Sequence, residues 1–416
     1  MVPENWSATT LGAITKESAF GPRFSSDLYS VDGNVGTIRT TDLDDEGNIN
    51  YDTIPYARLP SGFESHYLDD GDLLITRSGS CGIPCIFESQ DKPIVAGAFL
   101  IRFVLKENTD VKYVHALLKS DKLQRKIQNL ASGGVQKNLS GTNLKKLEFV
   151  LPPLPEQKKI AQILSTWDQA ITATERLLEN SQQRKKGLMQ QLLTGKRRLV
   201  RSNTTLTTKK TRTGELPGDW AYPKIAQICH QVTDKNIDDQ QYPVLACSKH
   251  YGFVDSLKYF KKRVYSKDLT GYRVIPRGCI GFPANHVEEG SIGLQNLYDY
   301  GLVSPIYVVA RPDSQKVNVD YLYAVLKTDH YRQIFSAATN ASVDRRGSLR
   351  WKEFSQIHVP LPPLPEQNQI AEVLKLATKE IASLETALDL LKQEKKALMQ
   401  QLLTGKRRVN VETEAA

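Results

Sequence analysis

The sequence predicts an α+β chain: two domains of mixed sheet and helix, joined by two long helices that fold back on each other as an antiparallel intramolecular coiled coil. Three observations predict it. A 48-residue segment occurs twice, the segment carries a heptad pattern, and the regions outside it break into short strand-like runs.

The first region, residues 1–150, has apolar runs such as Asp72-Leu73-Leu74-Ile75-Thr76 and Phe99-Leu100-Ile101-Arg102-Phe103-Val104, bounded by Gly, Pro, Asn and Asp. Such runs between turn formers read as strands. A helical stretch follows around residues 110–130.

The repeated segment comes next, at residues 151–198, and returns at 361–408. The two copies align without a gap at an offset of 210, with 27 of 48 positions identical, including all of the closing LMQQLLTGKRR. Repeats are sought first because they fix architecture. Pro155 suits the first helical position, and Glu156 and Gln157 suit the positive helix end. Gly195 fits a C-terminal cap, and Lys196-Arg197-Arg198 complements the negative end. Such a helix spans about 58 Å at 1.5 Å per residue.

Inward positions step by four and three: Ile160, Leu164, Trp167, Ile171, Thr174, Leu178, Ser181, Lys185, Leu188 and Leu192. The second copy repeats the steps at Ile370, Leu374, Ala377, Ile381, Leu384, Leu388, Leu391, Lys395, Leu398 and Leu402. A period of 3.5 residues over this length is a coiled-coil seam, which Ile163 and Leu177 would widen. Lys185 and Lys395 interrupt it; their stems are expected to snorkel outward, the alternative being a role in register. Each helix has the other as its obvious mate, and the short connection favours antiparallel pairing.

Residues 199–213, poor in apolar side chains, read as a flexible linker. Residues 214–360 form the second domain, with strand-like runs at 278–282 and 305–309 and helix around 319–337. Trp6 and Trp220 open the two domains, and residues 113–121 echo 321–329 at an offset of 208. Residues 409–416 are a tail.

The net charge is +9, from 55 basic and 46 acidic side chains. Residues 1–150 are net −3, 151–213 net +9, 214–360 net +3, and 361–416 balance. One segment therefore carries the excess, and charge alone establishes no nucleic-acid partner. The five cysteines, odd in number and without a CxxC pair, fit a reducing compartment, as does the missing secretory or membrane-spanning pattern. We expect a cytoplasmic chain.

Catalytic signatures are missing. Gly195-Lys196 is followed by Arg197 and preceded by Gln190 where a phosphate loop needs glycine. Pro312-Asp313 lacks a nuclease-like continuation, the LPP tripeptides lack the acidic or amide residue of an amino-methyltransferase motif, and no histidine or cysteine cluster suggests a metal. The expectation is a binding protein with no cofactor of its own.

This organisation resembles the DNA-specificity subunit of bacterial type I restriction–modification systems. The resemblance rests on LPPLPEQ at 151–157 and 361–367, the heptad helix, and LMQQLLTGKRR at 188–198 and 398–408. Residues 71–77, 136–140 and 345–350 are weaker matches to segments of that family's target-recognition domains. The resemblance implies that each domain reads one half of a split, asymmetric target on double-stranded DNA while the helices set the gap. It implies two methyltransferase subunits docked on the helices, with S-adenosylmethionine, and motor-nuclease subunits with ATP and Mg. Candidate DNA contacts are Arg39, Thr40, Arg77, Ser78, Gln136, Lys137 and Asn138 in the first domain. In the second they are Asn285, His286, Arg345, Arg346, Ser348 and Arg350. These residue types hold phosphates or read base edges, although each also suits an ordinary solvated loop. The rival reading is a coiled-coil adaptor whose end domains bind proteins.

Overall fold

A computed structural model describes residues 3–131, 138–199, 207–211, 214–285, 287–339 and 348–411. The chain divides into two compact units, residues 1–176 with 386–416, and residues 177–385. Each therefore combines one variable region with a stretch of both long helices, which run over Leu154–Leu192 and Leu364–Leu402.

In the first unit, a four-stranded antiparallel sheet has the order Thr15–Phe20, Leu100–Leu105, Leu73–Thr76, Pro84–Ile86. A three-stranded sheet places Val35–Ile38 between Tyr56–Ala57 and Ile94–Ala96, the latter pair parallel. The strand Leu73–Thr76 is buried on both faces, and the period of two sorts its residues. Leu73 and Ile75 join a core shared with the helices Val111–Lys119 and Asp121–Leu130. Leu74 joins a second core with Ile38, Phe87 and Ile94. The predicted helical stretch breaks at Ser120, whose hydroxyl accepts the Leu123 N–H and so starts a new helix. Ser7–Thr10 pairs with Glu148–Leu151, bringing the start of the domain to the foot of the first long helix.

The second unit follows a related plan. Its four-stranded antiparallel sheet has the order Cys229–Gln231, Tyr307–Pro312, Ile280–Pro283, Gly293–Leu294. A hairpin, Leu245–Ser248 with Gly252–Asp255, and the pair Arg273–Pro276 with Tyr300–Val303 are inserted between the first and last of these strands in sequence. The helices Val319–Leu326 and Asp329–Ala338 are separated at Thr328, whose hydroxyl accepts the Tyr331 N–H. Within the segment read as a linker, Thr208–Thr211 forms a strand against Gly214–Pro217.

The helices pair antiparallel in both units. In the first, Lys395 meets Asp168 and Lys392 meets Glu175 at 2.8 Å, so partner numbers fall on one helix as they rise on the other. In the second, Arg184 and the Ser181 hydroxyl both engage Glu380. None of the predicted seam residues is exposed. Ile160, Leu164, Leu398 and Leu402 pack into the first unit's core, and Leu188, Leu192, Ile370 and Leu374 into the second's.

Two details differ from expectation. Leu177 is 56% exposed, because two packed helices bury a stripe narrower than the apolar positions allow; Ile163 does pack inward. Lys395 does not simply snorkel: its side chain is 16% exposed, and its ammonium is ion-paired with Asp168 on the facing helix. Lys185 has its pKa lowered by burial, with only the charge of Glu385 opposing the shift. Among the described residues no helix is long and apolar enough to cross a membrane.

Candidate nucleic-acid interface

In the first unit the structure brings two sequence-distant candidates together. The strand Leu73–Thr76 ends at Arg77, whose carbonyl accepts the Leu139 N–H at 2.8 Å, and Ser78 bridges Asn138. The Arg77 guanidinium lies 4.4 Å from the centre of the Phe20 ring and reaches the Asn138 Oδ1 at 3.4 Å. Phe20 is itself 47% exposed, so the pair forms a flat cation–aromatic surface suited to a base or sugar. Gln136 and Lys137 lie outside the described residues.

Arg39 sits elsewhere, committed to its own loop. Its Nε and Nη2 donate to the two Asp42 carboxylate oxygens at 3.0 and 2.8 Å, and Nη2 also donates to the Thr53 carbonyl at 3.0 Å. The charge-assisted bond to Asp42 raises the Arg39 pKa against the opposing effect of burial. With much of its fork engaged, Arg39 is a loop organiser that presents its remaining exposed edge. Arg39 and Thr40 line a cleft of about 580 Å³ with Arg23, Phe24 and Phe99. The Thr37 hydroxyl, buried on the strand Val35–Ile38 that also lines this cleft, has no hydrogen-bond partner among the described residues.

The second unit repeats the first juxtaposition. The Leu349 N–H donates to the Ala284 carbonyl at 2.8 Å, so the loop at Asn285 meets the segment Ser348–Arg350. Asn285 and Ser348 are half-buried; Arg350 is exposed and precedes the short helix Trp351–Phe354. His286, Arg345 and Arg346 lie outside the described residues.

Sequence reasoning missed a duplicated buried node. Glu156, read above as a complement to the helix dipole, and its counterpart Glu366 are 3% and 1% exposed. Glu156 accepts from Arg408 Nε and Nη2 at 2.7 and 2.9 Å and from Trp6 Nε1 at 3.1 Å. Glu366 accepts from Arg198 Nε and Nη2 at 2.7 and 2.8 Å and from Trp220 Nε1 at 3.2 Å. Arg198 also forks onto Asp219 at 2.9 and 2.7 Å. The neighbouring glutamines anchor the domains: Gln157 accepts the Asp110 N–H and Gln367 the Asn318 N–H. The last arginine of each LTGKRR thus closes on the glutamate of the other copy's LPPLPEQ, beside a domain-opening tryptophan. The signal was present, since all three members recur at nearly one offset.

Among the described residues no group of three or more His, Cys, Asp or Glu side chains is placed to hold a metal ion. Burial pushes the Cys85, Cys229 and Cys247 thiols up to about 12, which makes them inert packing groups.

Comparison with known proteins adds an independent line. A family profile described as type I restriction modification DNA specificity domain matches residues 3–180 and again 217–393. A putative type I restriction enzyme MjaX specificity subunit from Methanocaldococcus jannaschii is 26% identical over 367 residues, covering 82% of this chain and 79% of the relative. The type I restriction enzyme MjaVIII specificity subunit of the same organism is 27% identical over 275 residues, covering 63% of each. Among solved structures, a type I restriction–modification S subunit from M. genitalium has a TM-score of 0.59 at 15% identity, covering 97% of this chain and 99% of its own. The HsdS subunit from Thermoanaerobacter tengcongensis has a TM-score of 0.50 at 16% identity, covering 98% of each. These structures share the fold.

Proposed function

Because this chain belongs to the type I restriction–modification DNA specificity family, with two copies of the family domain, we propose that it is the non-catalytic specificity subunit of such a complex. Each domain reads one half of a bipartite, asymmetric DNA target, and the paired helices set the unspecified gap. Two methyltransferase subunits dock on the helices and bring S-adenosylmethionine; motor-nuclease subunits bring ATP and Mg. The complex works in the cytoplasm.

The duplication is the single observation that carries this reading. Two unlike copies of a DNA specificity domain in one chain suit an asymmetric split target, whereas one copy used twice would suit a palindrome. The repeated loop juxtaposition supports it, with Arg77 meeting Asn138 in one unit and Ala284 meeting Leu349 in the other.

The test is co-expression with a candidate adenine methyltransferase, followed by methylation mapping. A split motif is expected, and exchange of residues 1–150 for those of a relative should alter one half only. A single contiguous motif, or no methylation by a complex that does assemble, would refute it and favour the adaptor reading.

A further inference from the structure

The crossover between the strands Gly252–Asp255 and Arg273–Pro276 contains Leu257-Lys258-Tyr259-Phe260-Lys261-Lys262-Arg263-Val264-Tyr265-Ser266-Lys267, five basic side chains and no acidic one. Residues 257–264 are all exposed. They include Leu257, Tyr259, Phe260 and Val264, which are 53, 46, 42 and 48% accessible, and Tyr251 on the adjoining hairpin is 73% accessible. A run that buries nothing is not held by a core, yet local bonds give it a defined shape.

At its base Asp255 accepts the N–H groups of Leu257 and Lys258 and the Tyr298 hydroxyl, and Lys258 Nζ reaches that hydroxyl at 3.1 Å. Lys261 then adopts the left-handed conformation, φ 54°, ending the short helix Ser256–Phe260 in a sharp bend. Beyond it Arg263 lies over the Tyr265 ring at 4.9 Å and donates to the carbonyls of Ser266 and Lys267. The bend leaves Tyr259 and Phe260 edge-to-face at 5.0 Å, with Tyr251 6.3 Å from Tyr259. Lys261, Lys262 and Lys267 have no acidic partner among the described residues.

Clustered like charges repel, and exposed rings forgo burial. A polyanion with flat faces relieves both at once, through phosphates that take the ammonium groups and sugars or bases that take the rings. We infer that residues 251–267 form a tongue that grips duplex DNA. Lys261, Lys262 and Lys267 neutralise phosphates, and Tyr259 with Phe260 packs into the groove beside them. The first unit is built otherwise: its connecting segment 41–72 has nine acidic residues and one arginine. The electrostatic grip is therefore concentrated on the second unit's half of the site. This inference rests on the DNA-specificity reading and adds which residues supply the grip.

The experiment measures binding of a mixed-sequence duplex to the full chain with its methyltransferase, over a range of salt, by fluorescence anisotropy. Lys261→Ala with Lys262→Ala and Lys267→Ala should weaken binding at least about tenfold and lower the salt slope by about two to three. Tyr259→Ala with Phe260→Ala should weaken binding by a similar factor and leave the slope unchanged. An unaltered slope and affinity in the lysine variant of a complex that still binds DNA would overturn the inference while leaving the DNA-specificity reading intact. Loss of methyltransferase capture with an unaltered slope would overturn it in favour of a protein contact. No salt-dependent binding by the unaltered complex would overturn both.

Discussion

Replacing Arg198 with alanine should be far more damaging than the equivalent change at Arg408, although the two arginines occupy matching positions in an identical sequence. Arg198 is 11% exposed and Glu366 1%, so the variant leaves a buried carboxylate with only the Trp220 indole N–H beside it. Removing one partner of a buried pair costs about 3–5 kcal/mol. Arg408 is 40% exposed over a Glu156 that is 4% exposed. Water reaches that side of the pair, and the expected cost falls to about 1–3 kcal/mol. Amide hydrogen exchange separates the two units, because protection in Val319–Leu326 reports on the second and protection in Val111–Lys119 on the first. Arg198→Lys should recover only part of the loss, since one ammonium cannot fork onto Glu366 and Asp219 together. A cost under about 0.5 kcal/mol for Arg198→Ala, or an equal cost for both alanine variants, would refute the reasoning.

Other outcomes follow from the same contacts. Gly405→Ala should destabilise the first unit by at least about 2 kcal/mol in urea unfolding, because φ is +69° and a Cβ would lie 2.3 Å from Pro3 Cγ. Burial lowers the His115 pKa to about 4 while its Nε2 contacts the Pro84 carbonyl at 3.2 Å. The ring stays neutral in the fold, so its stabilisation is complete above the ordinary value near 6.5 and is lost as pH falls from there toward 4, by up to about 3 kcal/mol. His115→Gln should flatten that part of the pH–stability curve measured by thermal melting. Lys185→Leu should stabilise the chain by about 1 kcal/mol, because burial opposes that charge. Lys395→Leu should be neutral within about 0.5 kcal/mol, because it sacrifices the Asp168 ion pair for the same apolar gain. Paired chemical melts compare the two.

The helix seam was legible because periodicity is a local property: every residue placed on it by the four-three step turned inward. Leu177 was misjudged because the width of a buried face depends on the partner, which lies about 200 residues away. The positions of Ser120 and Thr328 as helix starts were readable in principle, each being a hydroxyl residue followed by aspartate. The arginine–glutamate–tryptophan nodes join residues 150 and 252 apart in sequence, beyond the reach of any local pattern. The meeting of Arg77 with Asn138 likewise depends on a strand end reaching a loop 61 residues on. The tongue was hidden for a different reason. Charge summed over residues 214–360 is only +3, whereas the eleven-residue window 257–267 alone carries +5.

The two nodes use the same three residue types, so each arginine-tipped helix end is a latch whose chemistry both sockets share. The two latches are identical in sequence, and it is the sockets that differ, Asp219 strengthening one where Asn5 stands in the other. Connectivity therefore decides which latch closes where, and that advantage disappears when an unlatched end meets a second copy. Exchange of ends between crowded chains is therefore expected to give swapped dimers, and a refolded chain that elutes only as monomer in gel filtration at every concentration would refute this.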